Sequence, residues 1–298
     1  MKYGKLEDIR GVDFTLPEDH LQTQRVLSLP AVKEPRIYVA GTMWNIPKWK
    51  GKIYPDKTPA KDMIHRYCEQ FGSIELNATH YRIHPPETTR KWADAATEGF
   101  KFCPKFPQLI SHYRRFNNSE GITDEFIQAV LALEEHLGPC FIQLPPNYTP
   151  KHAEKLRNYL KRWPRELRMA IEFRHPGWFT GDPEAEATWE CMEELGIGAV
   201  ISDTAGRRDA VHMRMTAPFL LLRFGGNDLD PTDDQRLSDW VERLGSWVSN
   251  GMDEVHLLMH QPDSINSPES CIFFAENCER KHGWKVKRPH LIKGAELF

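Results

Sequence analysis

The feature that most constrains this chain is a rhythm. From Arg36 onward, short runs of apolar, β-favouring residues alternate with longer amphipathic stretches. Strands are expected over residues 37–40, 73–77, 101–105, 140–143, 168–173, 198–202, 219–223 and 255–259. Helices are expected over 59–71, 86–96, 123–137, 150–163, 182–195, 233–248 and 268–280. Several of these helices carry proline in the first turn, where its missing N–H costs nothing. Repeated strand–helix units pair in parallel through right-handed crossovers. Eight strands in such a series predict an α/β fold, a single (β/α)8 TIM-like barrel of parallel strands. The competing architecture is an open doubly wound sheet. That sheet wants G-x-G-x-x-G after its first strand, whereas the chain has Gly41-Thr42-Met43-Trp44.

A barrel uses about 250 residues, so the 298 residues divide into a polar N-terminal extension over 1–35 and a barrel domain over 36–298. With 40% hydrophobic and 27% charged residues the chain is globular rather than disordered. Its 39 Lys and Arg against 42 Asp and Glu give a net charge of −3, which argues against a globally basic nucleic-acid coat but not against a local basic patch. No stretch approaches the roughly 20 apolar residues of a membrane span, and the first residues lack the apolar core of a secretory signal. The cysteines at 68, 103, 140, 191, 271 and 278 form no C-x-x-C pair, so reduced, buried thiols in a cytoplasmic protein are expected.

Alternate side chains of a barrel strand face the lumen and the helices. With Ile74 and Leu76 facing the helices, Glu75 and Asn77 face inward. The same reasoning on the fifth strand turns Glu172 and Arg174 inward, and the other strand ends offer Lys105, Gln143, Asp203, Arg223 and His260. These groups fall at the C-terminal mouth, where barrel enzymes keep their active sites. The loops above add Trp44, Trp49 and Tyr54 interleaved with Lys48, Lys50 and Lys52. They also add His80, Tyr81, Arg82 and His84, then His112, Tyr113, Arg114 and Arg115, then His175 and Trp178.

Unpaired charges buried together are costly, so acids and bases converging on one mouth either pair with one another or meet a ligand. The ligand reading predicts acid/base catalysis by Glu172, Glu75, Asp203 and His260 on a small polar, anionic or sugar-like substrate, of hydrolase, lyase or isomerase type. Lys105, Arg174 and Arg223 would hold its anionic group, and Asn77 and Gln143 would orient hydroxyls. Tyr81, His175, Trp44 and Trp178 would complete the binding wall. A structural ion-pair network, a nucleic-acid-binding or repair-type protein using the same basic and aromatic mouth, and a non-catalytic ligand-binding scaffold remain open alternatives. No cofactor is expected. A divalent metal on Glu172, Asp203 and His260, completed by Glu75, has weak support, since no H-E-x-x-H or cysteine cluster accompanies it. G-x-S-x-G and Walker motifs are absent.

Several motifs also agree, in order, with one family. They are Gly41-Thr42-x-Trp44, Trp49-x-Gly51-x-x-Tyr54-Pro55, Ile74-Glu75-Leu76-Asn77-x-Thr79-x-Tyr81-Arg82, Phe100-Lys101-Phe102-x-x-Lys105, Gln143-Leu144-Pro145-Pro146 and Glu172-Phe173-Arg174-His175-Pro176-x-Trp178. Across residues 36 to 285 the chain resembles the YecE-like family, a domain of unknown function. The resemblance implies a (β/α)8-like barrel and no established activity. The chain departs from the family pattern at two strand ends. Arg223-Phe224-Gly225-Gly226 stands where Arg-Phe-His-Gly is common, and Met259-His260-Gln261-Pro262 where a Phe-Asn-Asn-like run is usual. A role carried by the family's histidine is therefore expected here only if His260 substitutes for it.

Overall fold

The structure, a computed structural model, describes residues 3–292. Eight parallel strands form the barrel: β1 (Arg36–Gly41), β2 (Ser73–Leu76), β3 (Lys101–Pro104), β4 (Cys140–Gln143), β5 (Met169–Glu172), β6 (Gly198–Asp203), β7 (Phe219–Gly225) and β8 (Glu254–His260). They pair in the order β3-β2-β1-β8-β7-β6-β5-β4. The two ends of that order meet at a bridge between Lys105 and Phe141, where the Phe106 N–H donates to the Phe141 carbonyl at 2.9 Å. The sheet thus closes on itself through a short seam, as the βα rhythm requires.

The helices are α1 (Leu21–Val26), α2 (Met63–Gln70), α3 (Ala78–Tyr81), α4 (Pro86–Asp94), α5 (Glu120–Leu131), α6 (Ala153–Leu160), α7 (Pro183–Leu195), α8 (Pro231–Ser249) and α9 (Ser267–His282). Their ends depart from the sequence expectation where local chemistry intervenes. The α8 helix starts two residues early because the Asp230 carboxylate accepts from the Thr232 N–H and Pro231 fits the first position. The helix expected over 123–137 stops at Leu131, and Glu134, with φ of +49°, opens a separate 3₁₀ turn. The short α3 was not expected. It is pinned by the Thr79 hydroxyl, which donates to the carbonyls of Leu76 and Lys105, both at 2.8 Å.

Residues 3–35 lie against the barrel. The His20 N–H donates to the Met213 carbonyl, Leu29 to Asn250 and Val32 to Val248, each at 3.1 Å. The outer ends of the two expected segments, residues 1–2 and 293–298, lie outside the described residues. All six cysteines are buried and unpaired. Among the described residues no helix is long and apolar enough to cross a membrane.

Two apolar layers result from strand alternation. Odd positions on β1 and β5, such as Val39 and Ile171, pack outward against the helices. Ala40, Phe141, Ala170, Val200, Leu221 and Leu258 fill the middle of the lumen. This plug separates a polar layer at each end of the barrel. Below it, Gly198 leaves space for the Phe219 ring, since a Cβ there would sit 2.6 Å from the ring tip. Gly198→Ala is therefore expected to overpack the lumen and cost about 1–3 kcal/mol in a denaturant titration. An unchanged midpoint would contradict that packing.

Candidate active site

The upper polar layer is organised by Arg223, which β7 projects into the lumen with only 2% of its surface exposed. Its Nε and Nη2 donate to the two oxygens of Glu75 at 3.0 and 2.9 Å. Its Nη1 lies 2.9 Å from both oxygens of Glu172. Both carboxylates are fully buried, so a single guanidinium joins the ends of β2 and β5 across the barrel. Such forked, charge-assisted pairs are among the strongest hydrogen bonds in proteins.

The remaining oxygen lone pairs are also engaged. Glu75 accepts from the Asn77 amide at 3.0 Å and from His260 Nε2 at 2.7 Å. Glu172 accepts from the Gln143 amide at 2.6 Å, the Ser202 hydroxyl at 2.9 Å and Arg174 Nε at 3.1 Å. Burial alone would raise both carboxyls. Charge and hydrogen bonding outweigh it: Arg174, Arg223 and Lys105 hold Glu172 down at about 2, and Arg223, with the hydrogen bond from His260, holds Glu75 well below the usual carboxylate range. Burial lowers His260 to about 4, so its imidazole is neutral, and the contact with Glu75 places its proton on Nε2.

Lys105 is held differently. Its Nζ donates to the Gln143 oxygen at 3.0 Å, its one hydrogen-bond partner among the described residues. It is 7% exposed, and burial together with Arg223 lowers it to about 8. Beside it, His80 and His112 pack edge to face with ring centres 5.2 Å apart. Burial and the Lys105 charge hold both rings at about 4. His112 sits on a single π-helical turn over Leu109–Tyr113, a distortion common at functional positions.

The network thus gathers Glu75, Asn77, Lys105, Gln143, Glu172, Arg174, Arg223 and His260 of the expected set. It leaves five others elsewhere. Asp203 is a correction: Val200 and Ser202 face the lumen, so Asp203 faces α8, where it accepts from Arg236 and the Trp240 indole, both at 2.7 Å, and pairs with Arg208. The metal set built on Asp203 consequently does not assemble, and among the described residues no group of three metal-ligating side chains converges. Trp178 does not wall the mouth. The turn over Pro176–Phe179 folds its indole behind β5, 4.4 Å from Phe173, with its N–H on the Tyr148 carbonyl at 2.7 Å. His175 caps that turn by accepting from the Gly177 N–H. Trp44 packs edgewise on Trp92 of α4 at 5.8 Å, and Tyr81 is exposed with its ring against His80. Ser202 was missed, although strict alternation from Val200 signals it. His80 and His112 were visible only as members of basic, aromatic loops.

A barrel of this type carrying these motifs has known relatives. Residues 38–292 match the profile of the family described as protein of unknown function DUF72. The chain belongs to the DUF72 family. The UPF0759 protein YecE of Escherichia coli K12 is 29% identical over 252 residues, spanning 78% of this chain and 89% of that protein. The UPF0759 protein YunF of Bacillus subtilis 168 is 29% identical over 168 residues, 54% of this chain and 58% of that protein. A crystal structure of a DUF72 family protein from Enterococcus faecalis V583 superposes with a TM-score of 0.62 at 18% identity. It covers 82% of this chain and 98% of that one, a likeness of fold.

In this DUF72 protein Gly225 and His260, the positions where the sequence reading expects departures from the family pattern, are register partners across β7 and β8.

The Arg223 bridge makes a stability prediction. Glu172→Gln leaves a buried guanidinium half-paired and is expected to cost about 3–5 kcal/mol at pH 7 in a denaturant titration. The folded Glu172 carboxyl lies below its unfolded value, so its contribution is present above about pH 4.5 and is lost as pH falls toward 2. The variant should therefore lose less stability than wild type between pH 5 and 2. Parallel pH profiles would contradict the bridge.

Proposed function

We propose that this mouth is the active site of an enzyme that binds a small, polar, anionic or sugar-like substrate and works on it by acid/base chemistry. The observation that carries the reading is Lys105. A buried ammonium with one neutral hydrogen-bond partner keeps donors unspent, and burial without pairing is costly unless a ligand answers it. With Asp203 turned away, the inner set holds three cations, Lys105, Arg174 and Arg223, against two ionised carboxylates, Glu75 and Glu172. Lys105, whose ammonium meets a neutral amide rather than a carboxylate among the described residues, is the cation that favours an anion.

The same geometry redistributes the expected roles. Glu75 and Glu172 are committed to Arg223, so they orient the site rather than carry protons. Lys105, lowered to about 8, divides between both protonation states near neutral pH and is the group suited to proton transfer. Neutral His260 keeps Nδ1 as a second acceptor once Nε2–H is given to Glu75. Its place beside Gly225 supports the substitution of His260 for the family's usual histidine. Asn77 and Gln143 orient the two carboxylates in this reading, and Gln143 also holds the Lys105 ammonium.

Sulfate tests this proposal without itself titrating near neutrality. Titration calorimetry should show binding that weakens as pH rises through about 8, as Lys105 loses its charge. Lys105→Met should reduce the affinity about tenfold or more and flatten that pH dependence. Equal sulfate binding by wild type and variant would overturn the role of Lys105.

A further inference from the structure

Residues 3–6 cross the barrel mouth, and four observations describe how they are held. The Tyr3 ring lies over the guanidinium of Arg174 at 4.3 Å and that of Arg207 at 4.9 Å. Its hydroxyl donates to the Arg174 carbonyl at 3.4 Å, a long bond. The Gly206 N–H donates to the Gly4 carbonyl at 2.8 Å, and the lack of a Cβ on Gly206 admits both that carbonyl and Leu6. Finally, Gly4 adopts φ of +68° directly above Thr204, whose buried Oγ1 has no hydrogen-bond partner among the described residues.

These contacts roof a cleft of about 350 Å³ that has His260 on its floor and Thr204 and Asn227 in its walls. Among the described residues the roof is attached by two cation–π face contacts, one long bond from the Tyr3 hydroxyl and one backbone hydrogen bond. Exposed or half-exposed contacts of that kind contribute little each. Against them stands a buried hydroxyl deprived of any partner, which is expensive. The closed position is thus only weakly favoured, and opening would let the Thr204 hydroxyl be solvated or meet a ligand.

We propose that residues 3–6 form a strap that gates the mouth, competing with the anionic ligand for access to Arg174 and the cleft beside His260. The proposal rests on the anion-binding reading of that mouth. Tyr3 stacks on the face of Arg174 while its Nε is turned to Glu172, so the strap covers this guanidinium from one side. Gly4 is the hinge point. An alanine there would be strained at positive φ, and its Cβ would collide with Thr204 Oγ1.

The test combines amide hydrogen exchange at Gly206 with sulfate titration on the full chain. Gly4→Ala and Tyr3→Ala should each speed exchange at Gly206 by about tenfold while leaving β1 and β8 protected. Both should tighten sulfate binding by up to the same factor, because a larger fraction of molecules is open. Adding Thr204→Gly to Gly4→Ala removes both colliding atoms, Oγ1 and Cβ, and should slow Gly206 exchange back toward wild type. Unchanged exchange at Gly206 would overturn the strap. Faster exchange with unchanged sulfate affinity would overturn the gate and leave the anion reading intact. Absence of sulfate binding in every form would overturn the anion reading, and the gate with it.

Discussion

Everything at the mouth depends on one buried guanidinium. Arg223 holds two carboxylates that the fold delivers from opposite parts of the barrel, and each carboxylate gathers its own neighbours. A buried ion pair of this kind is weak evidence for stability, because desolvation can exceed the Coulombic gain. Its effect here is positional. Once Glu75 and Glu172 are committed to Arg223, Gln143 is aligned by Glu172, and the ammonium of Lys105 is left facing a neutral amide. In the proposed reading it is this ammonium that a negative group would meet.

The opposite end of the barrel shows what a purely structural polar layer looks like. His256 contacts Ser73 and Cys103 and reaches Glu254 at 3.0 Å, with Tyr38 stacked on its ring at 4.6 Å. Glu254 and Asp253 each pair with both Arg36 and Arg168, so cations and carboxylates balance two against two. That layer closes the barrel. The upper layer, built by the same strand alternation, leaves the Lys105 ammonium on a neutral amide rather than a carboxylate. The same strand geometry thus carries a different charge arrangement at its two ends.

Much of this arrangement was legible in the sequence. The βα rhythm specifies the barrel, and period-two alternation places Glu75, Glu172 and Arg223 inside. The failures have physical causes. Asp203 is polar, yet it lies one residue past the inward Ser202, and Arg236 and Trp240 of α8 satisfy it on the outer face. A polar residue can be buried on either side of a strand when partners wait there, so polarity alone does not fix parity. Trp178 sits one tight turn beyond β5, and such a turn reverses direction without leaving a periodic trace. The strap was legible only as an irregular polar segment, because its fit depends on Gly4 and Gly206 meeting across 202 residues of chain, 206 − 4 = 202.

Anomalous diffraction from crystals soaked in selenate would test the central claim most directly, since selenium marks where the protein concentrates a tetrahedral dianion. A peak within hydrogen-bonding distance of Lys105 Nζ, on the lumen side of Arg174, is the predicted result. Selenate bound at saturating concentration only on the outer surface, with Lys105 still facing Gln143 alone, would contradict the account.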